Sequence, residues 1–396
     1  MTELDDAARR LAEGAAHPPY LYAMGPGDAR LALGLMQAPP ELPAGLEHRT
    51  VEIKSGPVHL LIPPGAVAAP IILYVHGGGW VLGDWSTHHR LAVALSRGTG
   101  AVVVMPEYAR VPEARYPVAI EQLVAVLAAI RDGSLEVPGD RRRIALAGDC
   151  AGATLALSLA IRDRDRSPTT RDLALATRDR DSAAHDPAST TRDRDSAAHD
   201  PASTTRDPAL ATRDRGSEPA DRRAGRGPSD PRSDGDLGPA AALVAQVLLY
   251  PIGRPGADDP SAIEFATGAG LRLADVRRIC REYAPRGEAG ADPLAATELA
   301  GLPATLLITA EADVTRDRAE DFGNRLRAAG VPVVGSRYLG TVHDFAVLDS
   351  LRWTPAARAA VTQVTDYLRA AFTAAGGAAP SEYEISEMDA AGAEWA

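Results

Sequence analysis

The sequence predicts an α/β fold, with a mainly parallel sheet covered by helices on both faces. Three observations carry this expectation. Short apolar runs of strand length recur along the chain, segments with helical patterning separate them, and the residues with chemical potential sit just after the runs.

In chain order the first run is "VEIKSGPVHLLIPP" (51–64), followed by "IILYVHG" (71–77) and the helical pattern "THHRLAVALSRGTG" (87–100). The run "AVVVMPEYA" (101–109) leads into the helical "PVAIEQLVAVLAAIRDG" (117–133), and "RIALAGD" (143–149) into "AGATLALSLAIRDR" (151–164). After a long gap come "AQVLLYP" (245–251) and "ATLLITAEAD" (304–313), then the helical "RDRAEDFGNRLRAAG" (316–330). The run "PVVGSRYLG" (332–340) and the helical "TPAARAAVTQVTDYLRAAF" (354–372) close the series. In a sheet of this kind, functional residues are expected beyond the carboxyl ends of the strands.

Composition narrows the function classes. A 396-residue chain can bury a sizeable core, and 45% hydrophobic with 24% charged residues suits a soluble globular protein. A formal net charge of −11 argues against nucleic acid as a partner, because phosphate binding needs a basic face. With Cys150 and Cys280 as the only cysteines, a disulfide framework is ruled out and a reducing cytoplasm is the expected setting. The first twenty residues lack the apolar core of a signal peptide, and no apolar run reaches the ~20 residues of a membrane span. Neither a membrane partner nor a cofactor is expected.

Two segments stand apart. "TRDRDSAAHDPAST" at Thr177–Thr190 recurs unchanged at Thr191–Thr204, inside a stretch from 162 to 238 rich in Thr, Arg and Asp. A looser seven-residue unit runs through it, but its recurring positions are polar, which excludes a coiled coil. Such a stretch offers too little apolar surface to offset its ordering entropy and is expected to be a disordered insertion. Its His185 and His199 have no cysteine or third histidine nearby to complete a metal site. The tail, 373–396, carries acids and no bases and is expected to be disordered as well.

Four strand ends carry the chemistry. "HGGGW" (76–80) follows the second run, and three glycines there let backbone N–H groups face a developing oxyanion. "GDCAG" follows "RIALA", with Gly148 and Gly152 flanking Cys150 on a sharp strand-to-helix turn. That turn is expected to push the thiol into the open, where the helix N-terminus favours thiolate. Cys280, at helical spacing in "VRRICREYA", reads instead as a small buried packing residue. Asp313 ends "ATLLITAEAD", and His343 lies in "TVHDF" beyond the last run. Nucleophile, acid, histidine is the chain order of an α/β-hydrolase triad.

"HGGGW", "GDCAG", "EAD…RD" and "VHDF" together resemble the hormone-sensitive-lipase-like branch of the α/β-hydrolases, and "YARVPEARYPVAIEQ" (108–122) resembles a further segment of that family. The resemblance runs from about Ala44 to Phe372, the insertion apart. It implies an eight-stranded sheet with core segments 51–161 and 239–372. A helical cap would be drawn from residues 1–50 and about 254–290. Carried over by position, Cys150 is the nucleophile, His343 the general base and Asp313 its orienting acid, with Glu311 and Asp317 as rivals for the last role. The oxyanion donors would be the N–H groups of Gly78, Gly79 and Ala151. The family's dimerising habit makes a homodimer a candidate assembly.

The chain departs from the family pattern in three places. Cysteine stands where serine is usual, Ala153 where a glycine is usual, and "YARVPE" replaces Tyr-Arg-Leu-Ala-Pro-Glu. A thiol ionises far more readily than an alcohol, and its acyl intermediate is a thioester. The implied reaction is hydrolysis of a small-molecule acyl substrate: an ester, lactone or thioester. Transfer of the acyl group to an amine or thiol, or a ring closure, is open to the same intermediate. A non-catalytic binding protein on a retired scaffold is the reading from a different class. The presence of all three triad positions argues against it.

Overall fold

The computed structural model describes residues 3–166, 242–256 and 258–376. Most of the repeat stretch, with His185 and His199, and nearly all of the acidic tail lie outside the described residues.

The N-terminal segment forms helices α1 (Asp6–Ala15) and α2 (Pro26–Leu35). The Asp5 side chain caps α1 by accepting the Ala7 N–H, and Pro26 opens α2, where a missing N–H costs nothing. The first apolar run is a hairpin and not one strand. Strands β1 (Glu47–Ile53) and β2 (Gly56–Ile62) pair antiparallel about a turn at Lys54–Ser55, with Gly56 at φ 116°. Seven apolar runs therefore yield eight strands, and polar Lys54 and Ser55 mark where the first folds back.

Strand β3 (Ile71–Val75) leads through helix α3 (Trp85–Thr99) to β4 (Val102–Pro106). A capping box between Asp84 and Thr87 starts α3, and Gly100 at φ 67° ends it. Helix α4 (Val118–Asp132), ended by Gly133 at φ 81°, precedes β5 (Ile144–Asp149), and helix α5 (Cys150–Arg166) follows directly. After the gap come β6 (Gln246–Leu249), the short α6 (Pro260–Glu264) and α7 (Leu273–Tyr283). Strand β7 (Thr305–Ala312), helix α8 (Arg316–Ala328), strand β8 (Val333–Val342) and helix α9 (Pro355–Ala374) complete the order. Helical order thus runs past the boundaries expected at 161 and 372.

The sheet order is β1-β2-β4-β3-β5-β6-β7-β8; the β1–β2 and β2–β4 pairs are antiparallel and every later pair is parallel. Every residue of β3, β4, β5 and β6 is buried. Because neighbouring residues in a strand point to opposite faces, burial of all of them means both faces are covered. Helices α3 and α9 pack on one another, as do α4 and α5. The expected α/β architecture is thus the observed one, and its parallel strands deliver four loops to one end of the sheet.

Candidate active site

Cys150 opens α5 immediately after β5, with φ at 51°. An L-residue holds that left-handed conformation only when its surroundings impose it. Here they do so through close backbone approach. A Cβ on Gly148 would lie 2.5 Å from Gly152 O, and one on Gly152 would collide with Val75 O and His76 O. The two glycines of "GDCAG" let the first turn of α5 press onto β5 and the end of β3.

The elbow does not leave the sulfur in the open, as the motif predicts. Cys150 is 0% exposed. Burial pushes its thiol up, and Asp344 pushes it further, while His343 pulls the other way. The depression expected from the helix terminus and the histidine is outweighed, because removing a thiolate from water costs more than those partners return.

Asp313 and His343 meet as the chain order suggests. His343 Nδ1 lies 2.6 Å from Asp313 Oδ2, with both side chains buried. Asp313 Oδ1 is held in turn by the Thr315 N–H at 2.8 Å and the Thr315 hydroxyl at 2.9 Å. The rivals are engaged elsewhere. Glu311 Oε2 accepts the Gly340 N–H at 2.7 Å, and Asp317 Oδ2 accepts the Ser261 N–H at 2.8 Å. Burial would lower the His343 pKa, but Asp313, then Asp344 and Cys150, override it and hold the imidazole well above its usual range.

Gly78 (φ 101°) and Gly79 (φ 61°) carry the turn after β3. A Cβ on Gly78 would meet the Leu82 carbonyl carbon at 2.5 Å, and one on Gly79 would meet Ile279 Cδ1 at 2.8 Å and Tyr22 Cε1 at 2.9 Å. Trp80, which ends the motif, stacks on Tyr283 of α7 with ring centroids 4.5 Å apart and planes 1° from parallel. Arg30 of α2 reaches the same turn, donating from Nε to Val81 O at 2.8 Å while pairing with Glu113. Both proposed cap segments are thereby anchored to the glycine turn.

A cavity of about 410 Å³ opens above these groups, bounded by Tyr22, Gly78, His88, Leu271, His343 and Asp344. Its walls come from the N-terminal segment, the stretch leading into α7, and the loop beyond β8 with Asp344, Val347 and Leu348.

Three polar residues near the site escaped the sequence reading. Asp149, fully buried, accepts the Tyr74 hydroxyl at 2.6 Å and faces His88 Nε2 at 3.3 Å. Burial works against the charged form of His88, yet Asp149 raises its pKa overall. Asp344 sits at φ 60°, with Oδ1 3.5 Å from His343 Nε2. Its place beside His343 in "VHDF" was visible, but nothing in the chain signals that its carboxylate turns back toward the thiol.

The sequence model described as alpha/beta hydrolase fold matches residues 72–224 and 229–347. The chain belongs to the α/β-hydrolases. Within them it falls with the hormone-sensitive-lipase- and acetyl-esterase-like members. It is 38% identical over 143 residues to the carboxylesterase NlhH of Mycobacterium tuberculosis, a stretch that is 35% of this chain and 45% of that protein. It is 42% identical over 106 residues to the acetyl esterase of Salmonella schwarzengrund, 27% of this chain and 33% of that one. These matches thus span less than half of either relative. A thermostable esterase from Pseudomonas putida superposes with a TM-score of 0.69 at 26% identity, covering 93% of this chain and 98% of that structure. The α/β-hydrolase frame thus holds Cys150 at the elbow, His343 and Asp313 on the loops after β8 and β7, and the glycine turn after β3.

Among the described residues no helix is long and apolar enough to cross a membrane. Cys280 is buried as expected, with its thiol pushed up to about 12 chiefly by burial.

Proposed function

We propose that this α/β-hydrolase is an esterase of small acyl substrates, esters, lactones or thioesters, working through an acyl-Cys150 intermediate. The observation that carries the reading is the short Asp313–His343 contact of 2.6 Å beside a Cys150 sulfur that lies within 4.8 Å of a His343 ring nitrogen. With Nδ1 turned to Asp313, Nε2 is the nitrogen left to exchange a proton with the sulfur.

In this reading the Cys150 sulfur attacks the acyl carbon while its proton passes to His343 Nε2. The oxyanion is met by the N–H groups of Gly78, Gly79 and Ala151. The tetrahedral adduct collapses as the bond to the leaving oxygen or sulfur breaks, and that atom takes the proton from His343. Water then attacks the thioester carbon and gives a proton to His343. The acid departs and the thiol is restored. Asp313 fixes the imidazole orientation and favours the imidazolium that forms at each step. The cavity of about 410 Å³ suits a short acyl chain, and the esterase names of the relatives support ester substrates.

Intact-mass spectrometry after brief exposure to a short-chain p-nitrophenyl ester at neutral pH tests the reading. The expected result is an acyl adduct that decays in water, is absent in Cys150→Ala and forms only slowly in His343→Ala. No adduct and no turnover across esters and thioesters would overturn it.

A further inference from the structure

We infer that Cys150, His343 and Asp344 form a binding site for a thiophilic divalent cation, Zn²⁺ being the best match, at the same place as the proposed nucleophile. One donor atom from each of the three residues lies within 4.8 Å of the other two. The inference rests on the proposed acyl-cysteine chemistry only in sharing its residues.

The triad accounts for Cys150, His343 and Asp313. It gives no role to Asp344 Oδ1, which is buried and has no hydrogen-bond partner among the described residues, as is true of His343 Nε2. The two atoms face one another at 3.5 Å beside the thiol, longer than a good hydrogen bond, so they satisfy one another only weakly. His343 is 4% exposed, so water offers its ring little relief. A cation placed between these atoms would satisfy both.

The donor set is chemically apt. Thiolate, imidazole and carboxylate together suit zinc, whereas Mg²⁺ and Ca²⁺ prefer oxygen alone. With zinc bonds of about 2.0–2.3 Å, neighbouring donors in a tetrahedron stand roughly 3.3–3.6 Å apart. The Nε2–Oδ1 separation of 3.5 Å already has that value. The sulfur lies within 4.8 Å of both. Zinc-bound histidines commonly donate their other ring N–H to a carboxylate, and Asp313 stands 2.6 Å from His343 Nδ1 in that position. Three protein donors leave the fourth position to face the cavity, whose wall includes His343 and Asp344.

Binding replaces the thiol proton by the metal, and any proton on Nε2 is released with it to the solvent. The cation therefore competes with acylation for the same sulfur and acts as a reversible block.

The test uses the full chain freed of metal with a chelator that is then removed. Equilibrium dialysis against Zn²⁺, with elemental analysis, is expected to show one ion per chain. Co²⁺ is expected to give a thiolate-to-metal charge-transfer band, and excess Mg²⁺ to displace nothing. Asp344→Asn and Cys150→Ser should each weaken binding by more than the roughly 10- to 100-fold that losing an outer hydrogen-bond partner of a ligand costs. Asp344→Gly, which suits the positive φ, serves if the Asn variant folds poorly. Zinc uptake no greater than the dialysis blank would overturn the inference, as would unchanged affinity in the Asp344 variants. Adduct formation by the metal-free chain is measured in parallel. Acylation without zinc uptake overturns this inference alone, and zinc uptake without acylation overturns the esterase reading alone.

Discussion

Gly77 packs so closely on the elbow that a Cβ placed there would lie 2.9 Å from Cys150 Cβ and would collide with Asp149 Oδ2. The glycine turn and the Cys150 turn are thus one packed unit, and a single methyl group would pry them apart. Gly77→Ala is expected to cost about 1–3 kcal/mol of stability, the range for overpacking a tight site. Urea unfolding measures the loss. A stability equal to that of the parent chain would show that the two turns move independently.

The second expectation concerns Asp313. Its contact with His343 Nδ1 sets which nitrogen carries the proton, so Asp313→Asn should slow acylation by on the order of 10²–10⁴-fold with little change in fold. Burst kinetics with a chromogenic ester reads the acylation step directly. An undiminished burst would remove Asp313 from the mechanism and return attention to Glu311 or Asp317.

Trp80 and Tyr283 join the glycine turn to α7 through a parallel stack at 4.5 Å. Replacing the ring in Tyr283→Leu should forfeit about 0.5–1.5 kcal/mol of stacking beyond the lost area. Because α7 belongs to the proposed cap, the expected kinetic effect falls on KM more than on kcat. Equal losses in both would mean that the stack holds the reacting groups themselves.

Burial pushes the His76 pKa down to about 4, below the usual 6.5. As pH falls through 6.5 the unfolded chain takes up a proton that the folded chain refuses until about pH 4. His76 therefore lowers stability progressively across that window, by roughly 3 kcal/mol in all, and leaves it untouched above. Urea unfolding at a series of pH values should show a shallower acid slope for His76→Asn than for the parent chain. Parallel slopes would mean that the buried imidazole titrates normally.

Much of the fold was legible because its signals are local. Continuous apolar runs such as "IILYV" and "AVVVM" can satisfy water and backbone together only as strands buried on both faces. Gly148 and Gly152 around Cys150, the three glycines after β3, and the order Cys150, Asp313, His343 likewise marked loops that the fold brings together. The hairpin at Lys54–Ser55 was read as one strand because an apolar run continues on both sides of a two-residue turn.

The chain's own pattern was therefore enough to mark the central strands, their alternation with helices and the loops that meet at one sheet end. Folding in three dimensions decided what those loops do to one another. Exposure and pKa depend on what lies around a side chain, and groups that interact electrostatically with Cys150 come from distant segments, Tyr22 near the N-terminus and Asp344 beyond β8. No spacing rule could reveal that the sulfur is buried, that its thiol is pushed up, or that Asp344 turns its carboxylate toward it. Hydrophobic periodicity is written along the chain, whereas electrostatic environment is a sum over neighbours that only the packed structure assembles.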